Sequence, residues 1–100
     1  MKGPALPATV GVLEVRLVIR QAQSLKDKRR VVRSLKDRLR SRFDVAVAET
    51  ELQDDRQQAV LAVAVVGSDE SVLGGVLNKV ADFVRNNPDA VLCDYRIEMR

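Results

Sequence analysis

Histidine is absent from this chain of 100 residues, and cysteine occurs once, at Cys93. Without histidine the commonest general base and the commonest metal ligand are missing. Serine-histidine and cysteine-histidine mechanisms are therefore excluded within one chain. A lone cysteine also excludes an intrachain disulfide and a four-cysteine metal site. Tryptophan is lacking too, which leaves Phe43, Phe83 and Tyr95 as the aromatic residues. No apolar run approaches the roughly 18 residues of a membrane-spanning helix. The opening stretch from Met1 to Ala8 has a charge at Lys2 but no apolar core of about 7–15 residues, so it does not read as a signal peptide. Residues 1–8 read as a flexible tail, and residues 9–100 as a single domain. With one thiol and no export signal, a reducing cytoplasm is the expected location. Nothing points to a cofactor.

What is present is an ordinary globular balance, 46% hydrophobic and 31% charged. A chain of this length buries about 60–70% of its extended surface, enough for one core without metal or disulfides. The formal charge of +3 conceals an asymmetry. Residues 1–43 carry twelve Lys and Arg against three Asp and Glu, or +9, whereas residues 44–100 carry five against eleven, or −6. Such a split suggests a polyanionic partner, or one half pairing with the other.

Hydrophobic periodicity sets out six elements. Leu13, Val15, Leu17 and Ile19 alternate with Glu14, Arg16 and Arg20, which predicts a strand over Val10–Ile19. Ser24-Leu25-Lys26-Asp27 resembles a capping box. From there Leu25, Val31, Val32, Leu35, Leu39 and Phe43 recur at helical spacing within an arc of about 120°, a helix of about five turns. Val45 to Leu52 and Ala59 to Val66 are β-rich runs around a polar link, a hairpin. Gly67-Ser68-Asp69 breaks the second run and offers helix caps. Val72, Leu73, Val76, Leu77, Val80, Phe83 and Val84 form a second amphipathic helix, stopped by Asn86-Asn87-Pro88. Val91, Cys93, Tyr95, Ile97 and Met99 then alternate with charged residues in a last strand, with Cys93 expected inward as an inert core thiol. The order βαββαβ is the ferredoxin-like unit of the α+β class: a four-stranded antiparallel sheet with two helices on one face and strands one and three at its centre.

The run from Ser24 through Lys26, Arg29, Arg30, Arg33 and Lys36 to Leu39 resembles the YlxP-like proteins, a small bacterial family of undetermined function. The likeness continues through Val45 to Glu49, Gln53-Asp54 and Ala59 to Ser68. It implies a ferredoxin-like fold, in agreement with the periodicity. Genes of that family tend to lie beside those for translation initiation and ribosome maturation, so the resemblance also implies RNA or the ribosome as a partner. Where the family often carries Trp at the hairpin tip followed by a basic residue, this chain has Arg56 and Gln58.

Three features bear on function. On the first helix Lys26, Arg29, Arg30, Arg33, Lys36 and Arg40 share one arc of about 120°, opposite much of the apolar stripe. Like charges at i,i+4 cost about 0.2–0.5 kcal/mol a pair, so the row is a candidate for meeting the phosphates of RNA. Its alternatives are a solvated face or one matched by acids of the same chain. Base stacking of the kind seen on aromatic-bearing central strands is not expected, since all three aromatics follow inward patterns. Second, Glu49 and Glu51 are expected on one strand face about 7 Å apart, with Asp54 and Asp55 beyond. Such a set suits Mg²⁺ or acid/base work, or merely a solubilising edge. Third, the sheet face away from the helices mixes Val10, Val12, Val60, Ala62, Ala64 and Val66 with charges, a pattern that marks contacts, here a homodimer. The readings are thus a non-catalytic RNA- or ribosome-associated protein or, as the alternative, a homo-oligomeric interaction module. An enzyme is not expected, because no glycine loop between strand and helix is present to cradle a phosphate, and no membrane association or small-molecule substrate is indicated.

Overall fold

A computed structural model describes residues 8–100. The tail expected over residues 1–8 lies, apart from Ala8, outside the described residues. Six elements follow in the order β1 Thr9–Val18, α1 Leu25–Arg42, β2 Ala46–Glu51, β3 Gln58–Gly67, α2 Glu70–Arg85 and β4 Val91–Met99. The strands form one antiparallel sheet in the order β2-β3-β1-β4, with β3 and β1 central. This is the ferredoxin-like α+β sandwich.

Alternation along β1 buries Leu13, Val15 and Leu17 beside Ala59, Leu61 and Val63 of β3. Val32, Leu35 and Leu39 of α1 and Leu77, Val80 and Val84 of α2 close over them as one core. Gly11 lies under α2 at a close approach, since a Cβ there would stand 2.9 Å from Leu77 Cδ1. The helix starts are set by side chains that satisfy the free N–H groups of a first turn. Ser24 Oγ accepts from Asp27 N–H at 3.1 Å, while the Asp27 carboxylate accepts from Gln23 N–H rather than from Ser24 as a strict capping box would have it. For α2 the cap is Asp69, not Ser68; its carboxylate accepts from Ser71 and Val72 N–H.

Two β-bulges alter the pattern expected from simple alternation. In β4 the register shifts between its partners Arg16 and Leu17, so that Asp94 faces Arg16 while Leu92 faces Leu17. Cys93 is the extra residue, and an inserted residue reverses the facing of everything on one side of it. Leu92 rather than Val91 therefore joins the core, and Cys93 is exposed rather than buried. Tyr95, also expected inward, shares Val15's face but lies exposed at the sheet edge, with the Arg85 guanidinium 5.6 Å from its ring centroid. Val72, assigned to the apolar stripe of α2, is exposed as well.

Candidate nucleic-acid interface

The winding of α1 gathers the six cations as the periodicity predicts. Lys26, Arg29, Arg30, Arg33 and Arg40 are exposed, and Lys36 is half-buried. From Lys26 to Arg40 the row rises about 21 Å along the helix axis. Among the described residues none of Lys26, Arg29, Arg30, Arg33 and Lys36 takes part in an ion pair. Arg40 stands apart from them: its guanidinium donates to Val47 O at 2.8 Å on the neighbouring edge strand and lies 3.8 Å from Asp37.

Three acids of other elements hold ion pairs of their own. Glu14 binds Arg96, Glu98 binds Arg100, and Asp82 binds Arg85. The Glu14 carboxylate, as hydrogen-bond acceptor and counter-charge, raises the pKa of Arg96, and the Arg100 guanidinium lowers that of Glu98. At the hairpin, Asp55 Oδ1 accepts from Gln57 and Gln58 N–H, both at 2.8 Å, and these bonds hold its carboxyl below the ordinary value.

The hairpin acids do not form the cluster that alternation suggests. A bulge between Glu49 and Glu51 sets Glu49 opposite Leu61 and Glu51 opposite Val60. Glu49 thus faces the helices and Glu51 the open side. Among the described residues no group of three or more His, Cys, Asp or Glu side chains converges as a metal site.

Glu49 instead has a partner that helical spacing alone does not announce. Lys28 is 0% exposed, although it belongs to the most basic helix of the molecule. On the wheel it falls between Leu35 and Leu39, at the middle of the apolar stripe, and that position was the available signal. Its Nζ donates toward Glu49 Oε2 at 3.0 Å and the carbonyls of Leu52, Gln53 and Gln58 at 2.8, 3.2 and 3.1 Å. Three N–H groups thus serve four oxygens, and a buried ammonium requires nothing less. Leu52, whose carbonyl takes the shortest of these bonds, has φ 62°, a left-handed conformation uncommon outside glycine. Gln57 ties the same loop to the β1–α1 connection: its Nε2 donates to Arg20 O and Ala22 O at 3.2 Å, and its carbonyl accepts from Ile19 N–H. Lys28 therefore fastens the hairpin loop against the start of the basic helix.

Phe43 and Phe83 meet edge to face at 5.9 Å, and Arg42, which lies off the basic row, places its guanidinium 5.5 Å from Phe83 and 6.0 Å from Phe43.

Against known proteins, residues 10–97 match the family model described as Protein of unknown function (DUF503). The chain belongs to that family. A similar relative is the uncharacterized protein YlxP of Bacillus subtilis, 30% identical over 80 residues that cover 80% of this chain and 87% of that protein. The family carries no assigned activity in its description, so the chemistry of the surface has to support any functional reading. Among the described residues no helix is long and apolar enough to cross a membrane.

Proposed function

We propose that this member of the family is a non-catalytic RNA- or ribosome-associated protein that lays α1 along RNA phosphates. The supporting observation is the row Lys26, Arg29, Arg30, Arg33 and Lys36, which none of the chain's own described carboxylates pairs. A run of like charges on one helix face costs helix stability in isolation, and an external polyanion offsets that cost. Recognition in this mode is by charge and helix shape. The central strands present no aromatic side chain for base stacking.

Counterion release sets the test. Five phosphate contacts on duplex RNA give a slope of log K on log salt of about −4.5. Fluorescence anisotropy with a labelled RNA between low and moderate salt measures it. A flat salt dependence, or no binding at low salt, would remove the proposal. A second reading, a homo-oligomeric interaction module, draws support from the apolar open face of the sheet.

A further inference from the structure

The two edges of the sheet differ. On β2 the Arg40 guanidinium takes the Val47 carbonyl at 2.8 Å, and a bulge between Glu49 and Glu51 interrupts the ladder. On β4, among the described residues, none is buried, and Tyr95 is 41% exposed although it shares the helix-facing side with Ile97 and Met99. The main chain of this edge has a fixed direction. Val10 N–H donates to Arg100 O at 3.0 Å and Arg100 N–H to Val10 O at 2.7 Å. Such mutual pairs recur at every second residue of an antiparallel ladder, so Glu98, Arg96 and Asp94 also turn their main-chain groups toward β1. Tyr95, Ile97 and Met99 turn theirs outward. The Tyr95 N–H accordingly donates to the Asp94 carboxylate, at 2.9 Å, rather than to a strand. A bare edge of this kind is a template for another strand.

Charge specifies which strand. On the open side of the sheet Asp94, Arg96, Glu98 and Arg100 alternate in sign. Antiparallel pairing of β4 with its own copy about Ile97 sets Arg96 opposite the partner's Glu98 and Asp94 opposite the partner's Arg100. Two-fold symmetry repeats each pair. The alternation continues into β1, where Glu14 faces Arg96 and Arg16 faces Asp94. Directly opposed charges then differ in sign throughout, and like charges meet only on the longer diagonals. Other registers lose this match. Centring on Arg96 or Glu98 sets that residue on itself and its charged neighbours like against like, and centring on Tyr95 draws the bulged Cys93 into the ladder. On the helix-facing side, the register about Ile97 lays Tyr95 beside the partner's Met99 and covers apolar surface that the single copy exposes. The outward main-chain groups of Tyr95, Ile97 and Met99 meet their equivalents in about six hydrogen bonds.

We infer that β4 is the seam of a two-fold dimer in which two four-stranded sheets join edge to edge into one. The seam gives the homo-oligomeric reading a surface separate from the apolar open face. Across it the two β1 strands stand three strand spacings apart, about 14 Å. Each α2 packs chiefly over its own β1, so the two copies of α2 lie beyond the usual helix contact distance of about 8–10 Å and do not collide. The consequence reaches α1. Both helix layers lie on the same side of the joined sheet, and each α1 packs toward β2, the edge far from the seam. The two basic rows then stand roughly 30 Å apart on one face, where a single RNA meets both. That last step rests on the RNA reading above; the seam does not.

Sedimentation of the full chain from micromolar to millimolar concentration tests the seam, with two charge reversals at exposed side chains. Arg96→Glu alone sets carboxylate against carboxylate across the seam, and Glu98→Arg alone sets guanidinium against guanidinium. Each should raise the dissociation constant at least about tenfold. An equimolar mixture of the two variants restores opposite signs in every pair and should dimerise as the wild type does, a rescue that a folding defect would not show. Circular dichroism confirms that both variants fold. Amide exchange supplies a second readout: the Ile97 and Met99 amides should gain protection as concentration rises, whereas those of Arg96 and Glu98, already turned toward β1, should not. A wild-type monomer at millimolar concentration overturns the inference. So does a dimer that both single reversals leave intact, a mixture that stays monomeric, or a dimer whose Ile97 and Met99 amides exchange as in the monomer. Anisotropy with a short RNA duplex keeps the two proposals apart: an RNA binder that stays monomeric sinks only the seam, and a dimer that ignores RNA sinks only the RNA reading.

Discussion

Lys28→Met removes the ammonium from the base of α1 while retaining most of the side-chain volume. Glu49, whose side chain is 14% exposed, then lacks its cation, and the carbonyls of Leu52, Gln53 and Gln58 lose their donor. Breaking a buried pair by deleting one partner costs about 3–5 kcal/mol. Because Glu49 retains some contact with water and the loop can open to hydrate its carbonyls, the lower end applies, about 3 kcal/mol. For a domain of this size that corresponds to a fall in Tm of about 12–24 °C, out of a total stability of about 5–15 kcal/mol. With no tryptophan in the chain, urea and thermal unfolding are best followed by far-UV circular dichroism. Lys28→Met/Glu49→Leu should recover part of the loss, since replacing both partners leaves no orphaned carboxylate. Amide exchange should report a loosened loop over Gln53–Gln58 in the single variant. A loss below about 1 kcal/mol would refute the reasoning, because a satisfied and fully buried ammonium cannot be that dispensable.

Arg29→Glu/Arg33→Glu should leave Tm nearly unchanged, since neither side chain has an ion-pair partner to lose among the described residues. It should abolish RNA retention in the anisotropy assay, whereas Arg40→Gln should weaken it less. Gly11→Ala forces a methyl against Leu77 Cδ1 at 2.9 Å and should destabilise by about 1–3 kcal/mol in urea unfolding. Cys93 is exposed, so a chromogenic disulfide reagent should titrate one thiol per chain in the native state without denaturant; protection would contradict the bulge in β4. Asp55 has its folded pKa below its unfolded value. Its contribution is therefore fully present above the ordinary carboxylate pKa of about 3.9 and disappears as pH falls through the lower folded value. Exchange at the Gln57 and Gln58 amides should accelerate across that acid range, and Asp55→Ala should remove the transition.

Most of the architecture is legible in the sequence because each element carries one clear period. Leu13, Val15 and Leu17 alternate, Val32, Leu35 and Leu39 recur by turns, and Ser24 and Asp69 sit where a helix start needs an acceptor. The basic row is equally legible, being a property of one helix. The errors arose where an inserted residue changed the phase. Val91 and Cys93 share the parity of Tyr95 in the sequence, yet the bulge turns the first part of β4 over. Glu49 and Glu51 share a parity in the sequence but face opposite sides of the sheet for the same reason. A bulge depends on how two strands align, and neither strand's own residues announce it.

Lys28 marks the boundary most sharply. Its position at the middle of an apolar stripe follows from helical winding, so the sequence alone determined that a cation would point into the core. What receives that cation was decided by tertiary structure, which brings Glu49 and three loop carbonyls from 21 to 30 residues away in the chain to within 3.2 Å. Local chemistry settles the facing of a side chain within its element through a backbone repeat of fixed period. Its partners depend on the packing of elements far apart in sequence, and among the described residues that packing also leaves Lys26, Arg29, Arg30, Arg33 and Lys36 of α1 without a carboxylate partner.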